Sequence, residues 1–169
     1  MHIVLYQPVI PQNTGSIARL CACTGIKLHL IHPLGFSTDS AQVKRAGLDY
    51  WEYVDIKEHD SWEAFLAKET PKTLYFFTKF AARPYHEVQF DKNAYLVFGS
   101  ETKGLPKEIH TQYEGQRVWI PMKSDVVRSL NLAHSAAIAS YEALRQNGFE
   151  DLLQYSEAPR AGRAPHLSV

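Results

Sequence analysis

The sequence lacks the features of a disulfide-rich, strongly basic or membrane-embedded protein. Its 169 residues contain two cysteines, Cys21 and Cys23, and the eighteen basic residues balance the eighteen acidic ones. Because the cysteines stand two residues apart in a predicted helix, they point in different directions, which excludes a mutual disulfide. Two cysteines also leave no four-ligand metal set. We expect both thiols to be reduced and buried. Without net charge, any nucleic-acid partner must meet a local patch or one that oligomerisation assembles.

Other absences exclude whole classes of sites. No apolar run reaches membrane-spanning length, and the chain enters the apolar segment Ile3–Tyr6 without the basic region of a signal peptide. We therefore expect a cytoplasmic protein with no membrane partner. The eight histidines include no pair with the helical spacing and neighbouring carboxylate of a metal site, so we expect no metal. Ser129 lacks the elbow motif of a hydrolase nucleophile.

Strand patterns alternate with helix patterns along the chain, which predicts one α/β domain. Such a fold has a mostly parallel sheet with helices on both faces. We place the domain at residues 1–153 and expect a flexible tail at residues 154–169, where no apolar period survives. The predicted strands are Ile3–Tyr6, Lys27–His32, Tyr50–Ile56, Leu74–Phe77, Tyr95–Phe98 and Val118–Ile120.

The helix predictions rest on capping residues and on apolar residues at helical spacing. Asn13 or Thr14 is expected to cap a first helix that ends at Gly25. Asp60 and Glu63 form a predicted capping box for a later helix. Three more helices are predicted at Thr38–Ala46, Leu105–Tyr113 and Leu130–Gln146. Small residues recur at helical spacing along the last one, which lets another backbone approach it closely. They are Ala133, Ala136, Ala137 and Ser140.

Three polar segments lie between predicted strands and helices. In open α/β sheets ligands bind beyond the carboxyl ends of the strands, so these segments are candidate binding loops. Gly99–Gly104 comes directly after Tyr95–Phe98, and its glycines let a ligand lie against bare backbone. It is not a P-loop, because Lys103 precedes Gly104, nor does it have the Gly-x-Gly-x-x-Gly of dinucleotide folds. By itself the segment is equally consistent with a tight turn that carries surface charges.

The segment Ile120–Leu132 joins a strand to a helix through polar residues that packing does not require. Ser129 and Asn131 are both good helix caps, and Arg128 stands just before them at the positive end of the helix dipole. Capping alone accounts for one of the two caps. An arginine at that end is better explained by a bound anion.

The segment Asn13–Arg19 forms a third polar cluster at the start of a helix. We expect the backbone N–H groups of Asn13 and Gly15 to be available to a phosphate, which the guanidinium of Arg19 would grip at the same time. The alternative is that Arg19 is simply a solvated residue on the polar face of its helix.

Taken together, these three segments resemble the ordered motifs of SPOUT-class RNA 2'-O-methyltransferases, over about residues 1–153. The opening residues 3–8 and 11–15, and the later Gly47–Tyr50, are similar to the TrmL/YibK-like branch, which methylates the ribose of the tRNA wobble nucleotide. The resemblance implies a SPOUT fold with a C-terminal deep trefoil knot and S-adenosyl-L-methionine as cofactor. It also implies a homodimer that binds the tRNA anticodon stem-loop.

The resemblance assigns roles to individual residues. Arg19, Ser129 and Asn131 correspond to its catalytic positions. The implied cofactor-binding residues are Phe77, Gly99, Glu101, Gly104, Ile120, Ser129 and Leu130, and the expected substrate contacts are Asn13, Arg19 and Arg128. Two places depart from the family pattern, since Ser100 replaces a frequent proline and Ala133-His134 replaces a common serine-asparagine pair.

Two alternative functions stay open at this point. One is 2'-O-methylation of rRNA or of another tRNA position. The other is a non-catalytic RNA-binding module with the same fold, which would not bind S-adenosylmethionine. If tRNA is the substrate, its phosphates are expected to meet Lys79, Arg83, Lys123 and Arg128.

Overall fold

The computed structural model describes residues 1–38, 53–123, 127–150 and residue 152. Within these residues seven strands form one sheet, and all of its neighbouring strands pair in parallel. The spatial order of the strands is β3-β2-β1-β6-β4-β7-β5. The strands are β1 (His2–Tyr6), β2 (Lys27–Ile31), β3 (Ile56–His59), β4 (Leu74–Phe77), β5 (Arg83–Pro84), β6 (Tyr95–Phe98) and β7 (Arg117–Trp119). The predicted parallel α/β sheet is confirmed.

The centre of the sheet consists of strands that are buried on both faces. All four residues of β6 are buried between β1 and β4, as expected for a parallel strand covered by helices. The order of the strands changes direction at β1, because β2 and β3 extend the sheet on one side and the later strands extend it on the other. Ligand sites in such folds lie at the carboxyl ends of the strands beside this switch point.

The third predicted strand needs correction. It spans Ile56–His59 rather than Tyr50–Ile56, and residues 53–55 form no strand, while residues 50–52 lie outside the described part of the chain. β7 begins one residue before the predicted Val118. The sequence does not predict the two-residue strand Arg83–Pro84, because two residues are too few to show the alternation of apolar and polar residues in a strand.

Four α-helices belong to the described part of the chain: α1 (Pro11–Thr24), α2 (Trp62–Glu69), α3 (Lys107–Gln112) and α4 (Leu132–Gln146). α1 starts before the predicted caps Asn13 and Thr14, because Ile10 is its N-cap. Pro11 occupies the first turn, where a missing N–H costs nothing. Gly25 ends α1 in the left-handed conformation, with φ of 69°, as the sequence predicts.

The start of α2 also differs from the prediction. Ser61 is the N-cap, and its hydroxyl accepts a hydrogen bond from the Ala64 N–H at 3.1 Å. The predicted capping box of Asp60 and Glu63 is therefore wrong. Aspartate and serine are comparable capping residues, so the sequence alone does not decide which of two neighbours caps the helix.

The helices cover both faces of the sheet, and each face has its own hydrophobic core. On one face, Ile17 of α1 and Ala136 of α4 pack with the strand residues Leu5 and Leu28. On the other face, α2 and α3 cover a second set of strand residues. The buried residues of this second core, from the strands and from the elements that cover them, are Val4, Ile31, Trp62, Phe65, Leu74, Phe76, Tyr95, Val97, Leu105 and Ile109. The prediction of helices on both faces is confirmed.

Two of the four small residues of α4 face the interior of the chain. Ala136 and Ser140 are fully buried, and α4 packs directly against α1. Close approach of a second backbone thus occurs within one chain at these two positions. Cys21 is buried as expected, whereas Cys23 is exposed, so the prediction that both thiols are buried is wrong for Cys23.

Several predictions fall outside what the structure describes. Residues 39–46 of the predicted helix Thr38–Ala46 and the predicted tail at residues 154–169 belong to the part that is not described. The domain boundary at residue 153 and the trefoil knot stay predictions. In the described ranges, no helix combines the length and apolar content that are needed to cross a bilayer.

Candidate active site

A cavity of about 840 Å³ opens where β4, β6 and β7 end. Its volume lies near the upper end of the roughly 300–1,000 Å³ that is typical of small-molecule sites. Every predicted cofactor-binding residue lines it, together with three further residues of the predicted site. The lining includes Asn13, Phe77, Gly99, Glu101, Gly104, Ile120, Arg128, Ser129, Leu130 and Asn131. The fold thus brings segments from three distant parts of the sequence to one place.

One wall of the cavity is apolar. Phe77 at the end of β4 stacks on Phe98 at the end of β6, with ring centroids 4.8 Å apart and planes 16° apart. The two strands place these rings side by side, because Phe77 and Phe98 are paired in the parallel register. Ile120 and Leu130 are half-buried on the same cavity. Such a wall suits a flat, weakly polar ring system.

A second wall is bare backbone from the loop after β6. Ser100 and Gly104 exchange two backbone hydrogen bonds, of 3.2 and 2.8 Å, which fold the loop back on itself. A Cβ atom on Gly99 would lie 2.3 Å from the carbonyl carbon of Gly104 and 2.4 Å from the nitrogen of Leu105, so no larger residue fits. Gly104 adopts φ of 68°, which favours glycine. Glycine at position 99 is therefore required for the fold of the loop itself, whereas the open space beside Gly104 leaves its backbone accessible to a ligand.

The carboxylate of Glu101 ties this loop to the start of α1. Its Oε2 accepts the backbone N–H of Val9 at 2.9 Å. Its Oε1 accepts the backbone N–H of Ile10 at 3.3 Å and the side-chain amide of Asn13 at 3.0 Å. An anion at the N-terminus of a helix also interacts favourably with the helix dipole. Glu101 thus lines the cavity and at the same time fixes the first segment to the second.

Asn13 also binds the third segment, Ile120–Leu132, through a hydrogen bond. Asn131 donates its side-chain amide to the Asn13 Oδ1 at 2.9 Å. The Oδ1 of Asn131 accepts from the backbone N–H groups of Ala133 and His134, at 2.8 and 3.3 Å, and so caps α4. Of the two candidate caps, Asn131 caps α4 and Ser129 does not. Ser129 is exposed at the cavity.

The predicted phosphate site at the start of α1 is not available in the expected form. Because α1 begins at Pro11, the backbone N–H of Asn13 already donates to the Ile10 carbonyl at 3.1 Å. Gly15 is buried inside the helix. The carboxylate of Glu101 occupies the position next to the helix end and would repel a phosphate. The expectation of free N–H groups at Asn13 and Gly15 is therefore wrong, while a substrate contact by the Asn13 side chain stays a prediction.

The structure separates the two predicted arginines. Arg128 is exposed and lines the cavity beside Ser129. Arg19 is exposed on the outer face of α1 and does not belong to the cavity lining. Within one chain, Arg19 therefore stands apart from the other residues that the resemblance marks as catalytic.

The cavity is also lined by residues to which the family resemblance gives no cofactor role. Lys79 and Phe80 follow β4, Trp119 ends β7, and His110 belongs to α3. Burial lowers the pKa of His110, with a smaller contribution from the cation of Arg117. The Nδ1 atom of His110 is buried and has no hydrogen-bond partner. The sequence has no signal that separates Phe80 from a core phenylalanine, because its exposure depends on the path of the loop after β4.

A separate polar cluster lies in the core beneath α2. The fully buried His29 contacts His2 through its Nε2 at 2.9 Å and His59 through its Nδ1 at 3.0 Å. Burial lowers the pKa of His29 to about 3 and that of His2 to about 4, so both imidazoles are neutral at physiological pH. Glu69, which is paired with Lys57 at 3.1 Å, lies close to His29 and His59.

This cluster was not visible as a sequence motif. Potential ligand atoms of His29, His59 and Glu69 lie within 4.8 Å of one another. Two strands and a helix bring them together, so the sequence argument against a cluster of histidines with a carboxylate does not hold. The contacts themselves are those of hydrogen-bonded neutral imidazoles and a lysine–glutamate pair. The absence of a bound metal stays a prediction.

The sequence and the fold are similar to those of several methyltransferases. The sequence matches the SpoU rRNA Methylase family over residues 1–141. A tRNA (cytidine(34)-2'-O)-methyltransferase from Burkholderia cenocepacia (strain HI2424) is 48% identical over 152 residues, or 88% of this chain and 97% of that protein. A solved structure concerned with 2-OH methylation of C/U34 on tRNA is 46% identical, with a TM-score of 0.80 over 87% of this chain and 95% of that one. The SpoU methyltransferase AviRb from Streptomyces viridochromogenes, solved with AdoMet, is 26% identical, with a TM-score of 0.73 over 87% of this chain and 60% of that one.

Proposed function

Because this chain belongs to the SpoU rRNA methylase family, we propose that it methylates the ribose 2'-hydroxyl of the wobble nucleotide in tRNA. The methyl donor is S-adenosylmethionine, and the target nucleotide is cytidine or uridine. The observation that carries the proposal is the convergence of the three family motifs on one cavity. Relatives that are similar over most of their length act on the same position of tRNA.

The residues of the cavity fit the cofactor. Phe77, Ile120 and Leu130 provide an apolar wall for a purine ring, and the backbone next to Gly99 is too close-packed to accept a Cβ atom. Main-chain groups of the loop after β6 can then bind the polar parts of the cofactor, and Ser129 lies at the open side. When bound, S-adenosylmethionine supplies an electrophilic methyl group on a sulfonium. The residues of the chain hold the acceptor in line with it.

Arg19 is assigned to the substrate rather than to proton removal. An arginine side chain stays charged in proteins and has no lone pair to accept a proton, so it is a poor base. A guanidinium can instead bind the phosphate next to the target ribose and stabilise the oxyanion that develops on the 2'-oxygen. The proton would leave through phosphate or water. Asn131, held by Asn13, keeps the start of α4 and the neighbouring Ser129 in place.

A second copy of the chain completes the site in this proposal. Arg19 lies outside the cavity of its own chain, on a helix that packs against α4. The outer face of α4 exposes Ile138 (36%) and Tyr141 (48%), and Ile10 next to α1 is 40% exposed. A homodimer that covers this surface would bring the α1 helix of one copy towards the other copy. It would also enlarge the surface that is available to tRNA.

The direct test uses transcripts of the anticodon stem-loop with S-adenosylmethionine labelled in its methyl group. Nucleoside mass spectrometry should find the label as a 2'-O-methyl group on the wobble nucleotide. A stem-loop with a 2'-deoxy wobble nucleotide should accept no label, and undiminished incorporation would refute the wobble assignment. Binding of S-adenosylmethionine in calorimetry separates the enzyme from a non-catalytic RNA-binding module. A tRNA substrate also supports the predicted cytoplasmic location.

A further inference from the structure

Phe80 has an unusual position for a phenylalanine. All eight phenylalanines of the chain lie in its described part, and Phe80 is the one whose side chain is exposed, at 63%. It follows β4 in a short loop and lines the same cavity as the cofactor-binding residues. An aromatic ring that is mostly in water contributes little to the stability of the fold, because the free energy of burial scales with the apolar area that is removed from water.

The loop holds this ring in a defined place. The backbone N–H of Phe80 donates to the Thr78 hydroxyl at 3.3 Å, and the N–H of Thr78 donates to the Val118 carbonyl at 2.9 Å. The ring of His110 stands perpendicular to that of Phe80, with centroids 5.7 Å apart. The ammonium group of Lys79 lies 5.2 Å from the centre of the ring. The aromatic surface is thus positioned before any ligand arrives, and it has a cation beside it.

We propose that Phe80 is a stacking platform for the base of the nucleotide whose 2'-hydroxyl is methylated. This inference rests on the proposed function. To reach the cavity, the target nucleotide must leave the stack of bases in the anticodon loop, and it loses its stacking energy there. An aromatic ring on the same cavity restores that contact, and Lys79 is placed to bind an adjacent phosphate.

Stacking also explains why either cytidine or uridine is expected as the target nucleotide. Cytosine and uracil both have a π-face, so a platform of this kind accepts either base. A site that read the base by hydrogen bonds would instead discriminate strongly between them. Phe80 would bind the pyrimidine without choosing between the two.

The test combines protein variants with stem-loops that lack one base. Phe80→Ala removes the ring, and Phe80→Tyr retains it. Tyr53→Ala is the matched control, since Tyr53 is 74% exposed and does not line the cavity. The RNA set contains the intact stem-loop, a stem-loop with an abasic wobble nucleotide that keeps its 2'-hydroxyl, and stem-loops that are abasic at one neighbouring loop position. Fluorescence anisotropy gives Kd, and methyl transfer gives kcat and KM.

Phe80→Ala should weaken binding of the intact stem-loop by about 5- to 150-fold, which is the range for loss of one base–aromatic stack. Phe80→Tyr should retain most of the affinity, and Tyr53→Ala should match the wild type. On the wobble-abasic stem-loop, wild type and Phe80→Ala should bind equally weakly. The affinity of Phe80→Ala for S-adenosylmethionine in calorimetry and its urea midpoint should equal those of the wild type.

Two results would overturn the platform. One is an equal loss for Phe80→Ala on the intact and wobble-abasic stem-loops. The other is a loss that disappears only when a neighbouring base is missing, which would assign the ring to that base. If wild-type protein transfers no methyl group to the intact stem-loop, the proposed function fails and the platform with it. Normal wild-type transfer with an unaffected Phe80→Ala variant refutes the platform alone.

Discussion

The side-chain amide of Asn13 donates a hydrogen bond to the Glu101 carboxylate at 3.0 Å, across 88 positions of sequence. An ionised carboxylate can only accept, so this contact fixes which end of the Asn13 amide faces Glu101. The Oδ1 of Asn13 then faces Asn131, whose amide must donate to it. The Oδ1 of Asn131 is left to cap α4. One charge therefore sets the orientation of two amides and joins all three polar segments.

Replacement of Glu101 by glutamine should destabilise the protein although the two side chains have nearly the same shape. Both carboxylate oxygens of Glu101 accept hydrogen bonds, so in either orientation the new NH2 group faces a donor N–H. These hydrogen bonds are part-buried or exposed, so a donor that loses its acceptor here costs about 1 kcal/mol, less than the full penalty of a buried group. Urea unfolding of Glu101→Gln should show this loss. Glu108→Gln is the control, because Glu108 is exposed on α3, and an equal effect of both changes would contradict the argument.

A methyl group at Gly99 should damage the cofactor site. Because its Cβ would lie 2.3 Å from backbone, Gly99→Ala must displace the loop at Gly104, and overpacking of this kind costs about 1–3 kcal/mol. We expect the displaced loop to weaken the affinity for S-adenosylmethionine about tenfold, which corresponds to a loss of about 1.4 kcal/mol in binding free energy. Calorimetry measures this affinity. Gly115→Ala is the control, since a Cβ there meets nothing within 4 Å, and its affinity should equal that of the wild type.

The cluster of His2, His29 and His59 should make stability depend on pH. The folded-state pKa values of His29 and His2, about 3 and about 4, lie below the ordinary 6.5, so the unfolded chain binds more protons in this range. Their contribution to the free energy of unfolding is thus complete above pH 6.5 and falls as the pH drops towards 4. Urea titrations between pH 7 and pH 4 should show this fall. His29→Gln should reduce the slope by about one proton, and an unchanged slope would disprove the assignment.

The sequence predicts the regular parts of this fold well, because their signals are local. Burial on both faces produces the apolar run of β6, and Gly25 stands where the backbone needs a positive φ. Errors occur where neighbouring residues have a similar preference for the N-cap position, as with Asp60 and Ser61 at the start of α2. Only one of them is placed to cap, and that placement depends on the path of the chain.

The candidate site shows the same division. The residues that the family resemblance assigns to the cofactor lie on one cavity of the structure. The contact between Glu101 and Asn13 could not be predicted, because it depends on where α1 begins. The histidine cluster likewise depends on the register of β1, β2 and β3. This register cannot be read from the spacing of the histidines in the sequence. Phe80 looks like an ordinary core residue until its exposure is known.

The position of Arg19 on the outer face of α1 predicts that the active site is shared between two chains. We expect mixed dimers of an Arg19→Ala chain with a Ser129→Ala chain to be active although each homodimer is inactive. In a mixed dimer the cavity of the Arg19→Ala chain keeps Ser129 and receives Arg19 from its partner. One intact site of two should give about half of the wild-type methyl transfer in this symmetric arrangement.

A covalently linked dimer makes the opposite arrangement the control. When Arg19→Ala and Ser129→Ala are placed in the same half and the other half is wild type, a shared site predicts no activity, since each cavity then lacks one of the two groups. If Arg19 instead serves its own chain, the wild-type half stays active and the first arrangement is inactive. Methyl transfer to the anticodon stem-loop, with dimer formation verified by sedimentation, therefore gives opposite results for the two geometries.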